Sequence, residues 1–318
     1  NRPLEGKKDI WNPTDKSNNG FWKGGKHWSE VEADTAVRYL NMAKNDDKPF
    51  FFYLAFNAPH DPRQSPQKYL DMYPVSDIKV PENFLDAYPH RKVMKAPHSL
   101  RDEKLAPMPR TKRSVQVARR EYFALITHMD TQIGRVLDAL EKNGQRENTY
   151  IVFTADHGLG CGHHGLLGKQ NMYDHSIRVP YVVVGPEVEA GKRVSAPIYI
   201  QDSVPTALEV AGVEIPEYIQ YQSYIPILRG ESSGRAQIYS AYLKDAQRAL
   251  TREGYKLILY PGGGIARLYD LEKDPQEKVD LLERGKGKDV ARRLFKALKL
   301  EAKIHGDGLE FGEYKALD

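Results

Sequence analysis

The sequence is poor in several features that define whole classes of protein. It contains one cysteine, Cys161, so no internal disulfide can form. No apolar run approaches the roughly 20 residues that a membrane-spanning helix needs. The formal net charge of +4 is too small to indicate nucleic-acid binding, and no recognition-helix pattern or interleaved stacking aromatics are evident. These absences exclude a disulfide scaffold and argue against a membrane span and a nucleic-acid partner.

Apolar runs and helical patterns alternate through the first two thirds of the chain. With 318 residues and 40% apolar content, the chain can bury a substantial core. Strands are predicted at 49–56, 150–153 and 179–184, and helices at 114–142 and 203–210. This alternation predicts an α/β fold with a mostly parallel sheet flanked by helices, over residues 1–230.

A different pattern begins after Gly230. Short extended runs are predicted at 237–242, 248–252, 255–260 and 266–271, followed by a helix at 289–304. The run 255–260 precedes Pro-Gly-Gly-Gly, which is typical of one arm of a hairpin. We therefore expect residues 231–318 to form a smaller α+β subdomain of antiparallel strands and a helix.

One glycine-rich loop concentrates the side chains best suited to chemistry. Asp156 and His157 directly follow the apolar run 150–153, and in open α/β sheets ligands collect where such strands end. The glycines allow the backbone to bend around a bound group, and Lys169 adds a charge that can hold an anionic oxygen. The pattern indicates a metal ion beside an oxyanion. The alternative is a polar turn without a chemical role.

Three separated segments, in a shared order, resemble the formylglycine-dependent sulfatases of the alkaline phosphatase superfamily. The first is an apolar run that ends in a Pro-His turn, where His60 resembles the histidine that faces the sulfate ester. In the second, Asp156 and His157 resemble the metal-binding pair, and Lys169 resembles the sulfate-contacting lysine. The third, residues 268–277, resembles the signature that ends the small C-terminal sheet, which is architectural.

The resemblance implies an alkaline phosphatase-like fold and hydrolysis of a sulfate ester on a small molecule or, more specifically, a carbohydrate. It implies that His60 and Lys169 are catalytic and that a divalent cation, Ca²⁺ or alternatively Mg²⁺, binds Asp156 and His157. His163 and His164 are further candidates: either could contact the substrate or stabilise the turn. An extracytoplasmic location, periplasmic or secreted, is expected.

The family's nucleophile is missing from this pattern. It is a cysteine or serine, oxidised to formylglycine, within Cys/Ser-x-Pro/Ala-x-Arg. Cys161 has His163 two positions on and Gly165 four positions on, and no serine satisfies the motif either. The paired aspartates of the family's first strand are also absent. We therefore expect the nucleophile to lie in an N-terminal segment of the same protein outside this chain, and the chain alone to be inactive.

Two other functions remain open. A phosphodiesterase or phosphonate monoester hydrolase of the same superfamily would share the fold and part of the metal site. A non-catalytic module that binds sulfated glycans would use the basic stretch 90–120, in which ten Lys and Arg side chains accompany only Asp102 and Glu103. That stretch either steers anionic substrates or is a solvated insertion.

Overall fold

The computed structural model describes residues 10–22 and 25–318. In that part of the chain, the α-helices are α1 (Trp28–Ala43), α2 (Gln67–Asp71), α3 (Lys112–Lys142), α4 (Asp174–Ile177), α5 (Ser203–Val210), α6 (Ile225–Leu228) and α7 (Lys288–Ile304). The strands are β1 (Ile151–Thr154), β2 (Tyr181–Val184), β3 (Gln237–Tyr242), β4 (Gln247–Arg252), β5 (Tyr255–Tyr260) and β6 (Ile265–Asp270). None of the helices among these residues combines the length and the apolar character of a membrane span.

The long helix α3 confirms the prediction for 114–142 and forms the support on which α1 packs. Its N-terminus is a capping box, in which Thr111 Oγ1 accepts from the Ser114 amide at 3.0 Å and Ser114 Oγ accepts from the Thr111 amide at 3.2 Å. Gly144 ends the turn with φ +70°, as the Asn-Gly stop predicts. The buried contact between α1 and α3 is formed by Ala33, Ala36, Leu40, Val136, Ala139 and Leu140.

The predicted strand at 49–56 is wrong for the described structure, because this segment forms no strand. Its side chains nevertheless alternate with the period of extended backbone. Phe50, Phe52 and Leu54 pack against the cluster between α1 and α3, whereas Phe51 and Tyr53 are 76% and 80% exposed. Without a hydrogen-bonded neighbour, a run of high β-propensity remains unpaired. It still leads directly to His60.

The strands predicted at 150–153 and 179–184 are confirmed as β1 and β2, but their pairing differs from the prediction. β1 and β2 are antiparallel, with Ile151 opposite Val184 and Thr154 opposite Tyr181. The connection between them is a loop with the four-residue α4 rather than a crossover helix, so parallel pairing is not produced. Two side chains of β1 are partly exposed, Val152 at 41% and Phe153 at 40%.

The C-terminal sheet confirms the predicted antiparallel strands and helix. Its strand order is β3-β4-β5-β6, with every pair antiparallel. One face packs against Leu294 and Leu298 of α7. The other face contributes Ile258 and Tyr260 to a cluster that includes Leu166 of the glycine-rich loop. The sheet therefore supports the loop that carries the candidate site. The domain boundary at residue 230 remains a prediction.

Candidate active site

The glycine-rich loop folds back on itself between residues 160 and 168. The amide of Gly160 donates to the carbonyl of Gly168 at 2.9 Å, and the amide of Gly162 donates to Leu166 at 2.8 Å. Gly162 has φ +100°, and a Cβ at this position would lie 2.3 Å from Val115 of α3, so a larger residue does not fit. As a result, Gly168, the residue before Lys169, lies beside Gly160.

A buried carboxylate fixes the backbone that precedes Lys169. Glu103 Oε1 accepts from the amides of Leu167 at 3.1 Å and Gly168 at 2.8 Å. Its other oxygen accepts from Arg91 Nη2 at 2.9 Å and from Arg110. Because Arg91 and Arg110 are themselves buried, these members of the basic stretch are structural: they neither steer a substrate nor form a solvated surface.

His60 and Lys169 are brought together at the surface of this loop. Lys169 Nζ lies 3.1 Å from His60 Nε2, and Arg101 Nη2 lies 3.0 Å from the same atom. His60 Nδ1 lies 3.0 Å from the carbonyl oxygen of Asp61, which can only accept, so Nδ1 carries the proton. Nε2 therefore presents its lone pair to two cations. An anion that enters here meets an ammonium, a guanidinium and an imidazole.

A second buried carboxylate holds the two cations. Asp102 accepts from Arg101 Nε at 3.1 Å, and its Oδ2 lies 3.2 Å from Lys169 Nζ and 3.0 Å from Gln170 Nε2. Burial acts to raise the pKa of this carboxyl, but the Gln170 amide, Lys169 and Arg101 outweigh burial and lower the pKa to about 2. Asp102 thus remains ionised and orients both cations toward His60.

Asp156 and His157 lie side by side after β1 and could supply part of a metal site. His157 Nε2 is 3.2 Å from Asp156 Oδ2, and the two side chains are 36% and 83% exposed. A carboxylate and an imidazole are two donors, fewer than the six to eight that Ca²⁺ takes. Across residues 10–22 and 25–318, no group of three or more His, Cys, Asp and Glu side chains is arranged to hold a metal ion. Asp156 and His157 could therefore supply only part of the coordination sphere of Ca²⁺.

His164 is built into the support of the loop. Its Nε2 donates to the carbonyl of Glu277 at 2.9 Å, its Nδ1 lies 3.5 Å from Asn83 Nδ2, and its ring stacks on Tyr173 at 3.8 Å. Burial lowers the pKa of His164 to about 4. With both ring nitrogens engaged in a buried position, its geometry favours the turn-stabilising role over substrate contact.

His163 is less enclosed. Its Nδ1 donates to Asn83 Oδ1 at 2.9 Å, and its ring stacks on His175 with centroids 5.3 Å apart. In the described part of the chain, its Nε2 has no hydrogen-bond partner, so that nitrogen is available to a ligand. Burial and nearby Arg119 lower the pKa of His163 to about 4.

The segment 268–277 attaches the C-terminal sheet to the site loop. Lys256, fully buried on β5, pairs with Glu277 at 2.8 Å and with Asp174 of α4. The Glu277 carboxylate also accepts from the Asp174 amide at 2.7 Å, and the Glu277 backbone carbonyl accepts from His164 Nε2. These ion pairs and hydrogen bonds are consistent with the architectural role expected for this segment.

The structure joins two of the site residues expected from sequence directly, and the other two contact each other. His60 and Lys169 are in contact, whereas no hydrogen bond or ion pair between described residues links Asp156 or His157 to them. Sequence patterns did not single out Arg101, Asp102 and Asn83 as site residues. The available signal was the pair of adjacent acids, Asp102 and Glu103, within an otherwise basic stretch.

Two family models match the chain. The Sulfatase model matches residues 4–213, so the chain belongs to the sulfatase family, within the alkaline phosphatase superfamily. The second model, described as N-sulphoglucosamine sulphohydrolase, C-terminal, matches residues 162–303.

Curated relatives agree with this assignment. The chain is 30% identical over 280 residues to a choline-sulfatase of Rhizobium meliloti (strain 1021), covering 81% of the chain and 53% of the relative. It is 27% identical to an N-acetylglucosamine-6-O-sulfatase of Bacteroides thetaiotaomicron, covering 90% of the chain and 64% of the relative. The chain spans just over half the length of the first curated relatives it matches, at 57%, 56%, 52% and 53%.

Solved structures confirm the alkaline phosphatase-like fold. One, determined with its substrate D-glucosamine-2-N,6-O-disulfate, superposes with a TM-score of 0.72 at 24% identity, covering 89% of this chain and 70% of the other. The phosphonate monoester hydrolase of Agrobacterium radiobacter superposes with a TM-score of 0.68 at 24% identity, covering 87% of this chain and 60% of the other. The family is generally metal-dependent and uses formylglycine.

Proposed function

We propose that the protein to which this chain belongs is a sulfuric ester hydrolase that releases inorganic sulfate from a sulfated carbohydrate. One observation carries the proposal: His60 Nε2 lies beside Lys169 Nζ, in a chain that belongs to the sulfatase family. A sulfate ester needs positive charge on its non-bridging oxygens and a proton for its departing oxygen. This contact supplies a group for each need.

Lys169 contacts a non-bridging sulfate oxygen, and Asp102 holds its ammonium in place through Oδ2 at 3.2 Å. His60 faces the ester oxygen. An incoming sulfate draws the Lys169 ammonium onto its own oxygens, so that Nε2 faces the ester oxygen. The carbonyl of Asp61 accepts from Nδ1 in both protonation states, so it keeps the ring oriented for proton transfer to the leaving alcohol.

Asp156 and His157 would hold the divalent cation, Ca²⁺ or alternatively Mg²⁺, together with ligands from outside the described residues. Such a cation would supply positive charge to the sulfate oxygens and to the nucleophile. The formylglycine nucleophile is supplied by a segment outside the 318 residues, since no Cys/Ser-x-Pro/Ala-x-Arg motif is present. The chain alone is expected to show little or no hydrolysis.

A sulfated glycan is the proposed substrate and a small sulfated molecule the alternative, in line with what the similar sulfatases are named for. Of the two loop histidines, His163 is the one we assign to substrate contact, because its Nε2 is available, whereas His164 braces the turn. One relative, from Drosophila melanogaster, is named as an extracellular sulfatase. We propose an extracytoplasmic location, periplasmic or secreted.

The second candidate function is phosphonate monoester or phosphodiester hydrolysis. The observation in its favour is the shared fold of the Agrobacterium radiobacter enzyme. Binding of sulfated glycans without catalysis is the third, favoured by the absence of the nucleophile motif from the 318 residues.

Product release distinguishes these functions. A longer version of the protein that includes the upstream segment is assayed for sulfate release from aryl and sugar sulfates, and for product release from a phosphonate monoester and a phosphodiester. We expect sulfate release with much weaker phosphonate and phosphodiester hydrolysis. The reverse preference supports the second function, and glycan binding without turnover of any ester supports the third.

A further inference from the structure

Arg101 is the one cation at the candidate site that neither the sequence resemblance nor the proposed catalysis assigns a task. The Nε of its guanidinium donates to Asp102 Oδ1 at 3.1 Å, and Nη2 donates to His60 Nε2 at 3.0 Å. Its Nη1 has no hydrogen-bond partner among the residues the structure describes. One edge of the planar fork is therefore anchored, and the outer end is free to bind an acceptor.

Exposure separates the tasks of the two cations. The Lys169 side chain is 18% exposed, whereas that of Arg101 is 72% exposed. A substrate that enters with its sulfate leading places the transferred group against the deeper ammonium. The outer guanidinium then meets the part of the substrate that follows.

Local charge leaves Arg101 open to a second anion. Asp102 is a single negative charge shared by both cations. The other acid of this stretch, Glu103, is already paired with buried Arg91 and Arg110. A positive charge therefore remains at the outer rim. Because Asp102 orients the guanidinium through Nε, the free end is held ready for two parallel hydrogen bonds to one anionic group.

We propose that Arg101 is a specificity-determining residue that binds a second anionic group of the substrate, a carboxylate or another sulfate, on the sulfated sugar or its neighbour. The inference rests on the proposed function and narrows its substrate class to multiply charged sulfated saccharides. Singly charged sulfate esters engage Lys169 and His60 but not Arg101.

Binding to the 318-residue chain tests this without a need for turnover. Two probes of equal size are titrated by calorimetry in the presence of Ca²⁺. The first is a disaccharide of a uronate and glucosamine 2-N,6-O-disulfate. The second is the same disaccharide with the uronate as its methyl ester and the amine acetylated, so that only the 6-O-sulfate is charged. The wild-type chain should bind the first with a Kd about tenfold lower.

Arg101→Gln should remove most of that preference and leave the Kd of the singly charged probe within about twofold, whereas Arg101→Lys should keep part of it. Arg113→Gln, an exposed arginine of the same basic stretch, is the matched control and should keep the preference in full. Equal weakening of both probes by Arg101→Gln would assign Arg101 to the transferred sulfate and overturn the inference, as would no weakening of either.

The outcomes also separate this inference from the proposed function. If the wild-type chain binds both probes equally and Lys169→Ala weakens the binding of both, only the role of Arg101 is contradicted. Binding of neither probe by the wild-type chain contradicts the proposed sulfate site, and the inference falls with it.

Discussion

The ammonium of Lys169 lies 3.1 Å from Nε2 of His60, although 109 positions separate the two residues. Two acidic residues hold Lys169 in this position. Glu103 fixes the backbone before Lys169. Asp102, which precedes Glu103 in the chain, holds the Lys169 ammonium. Two adjacent acids in one short turn therefore determine where the lysine meets the histidine.

The first prediction concerns Asp102. Its pKa of about 2 lies below the value near 3.9 in an unfolded chain, so Asp102 contributes stability above about pH 4 that is lost as the pH falls toward 2. Asp102→Asn should lower the free energy of unfolding by roughly 2 kcal/mol at pH 7, measured by urea denaturation.

The exposed Asp138→Asn is the control for this change and should alter stability by less than about 0.5 kcal/mol. A loss for Asp102→Asn that is as large at pH 2.5 as at pH 7 would show that ionisation of Asp102 is not the cause.

The second prediction concerns His164. Burial holds its folded-state pKa at about 4, below the 6.5 of an unfolded chain, so the unfolded state binds more protons between these values. Stability should be complete above about pH 6.5 and should fall as the pH drops toward 4, with His164 contributing about 3 kcal/mol of that loss. His164→Gln, which keeps an N–H donor for the Glu277 carbonyl, should reduce the slope. An unchanged slope in calorimetric melting between pH 7 and 4.5 would contradict this assignment.

The third prediction concerns the attachment of the C-terminal sheet. Lys256→Met leaves the carboxylates of Glu277 and Asp174 without their buried cation, so the free energy of unfolding should fall by roughly 3–5 kcal/mol. Adding Glu277→Gln to Lys256→Met should restore part of the loss, because one uncompensated charge is removed. A double variant that is less stable than Lys256→Met would argue against charge burial as the cause.

The fourth prediction concerns the cation. Asp156→Asn replaces an exposed carboxylate beside His157 with a neutral amide, so a protein that includes the proposed upstream segment should bind Ca²⁺ at least about tenfold more weakly. Calorimetric titration after removal of divalent ions measures this, with Asp138→Asn as the control. Equal affinity in both variants would place the cation elsewhere.

Elements that depend on local pattern could be predicted from the sequence. Helix α3 has apolar residues at helical spacing between clear start and stop signals. Strands β3 to β6 are short extended runs that are separated by turns. Pairing could not be predicted in the same way. Residues 49–56 have the composition of a strand, but a strand also needs a hydrogen-bonded neighbour, and this is a property of the tertiary structure.

The same distinction applies to the site. His60, Asp156, His157 and Lys169 are predicted as site residues from motifs in a shared order, and such motifs predict which residues act but not how they are held. Asp102 lies in a stretch without steady periodicity, and its role depends on contacts with distant Lys169 and Gln170. Such contacts become visible only when the backbone path is known.

Lys169 and His60 are proposed to act together on a sulfate ester. This proposal is tested most directly by kcat/KM for sulfate release from a sugar sulfate by the longer protein, compared between wild type, Lys169→Ala and Lys104→Ala. Lys104 is an exposed lysine of the same basic stretch. We predict that Lys169→Ala lowers kcat/KM by roughly 10²- to 10³-fold, whereas Lys104→Ala stays within about twofold of wild type. Equal activity of the two lysine variants would contradict the account.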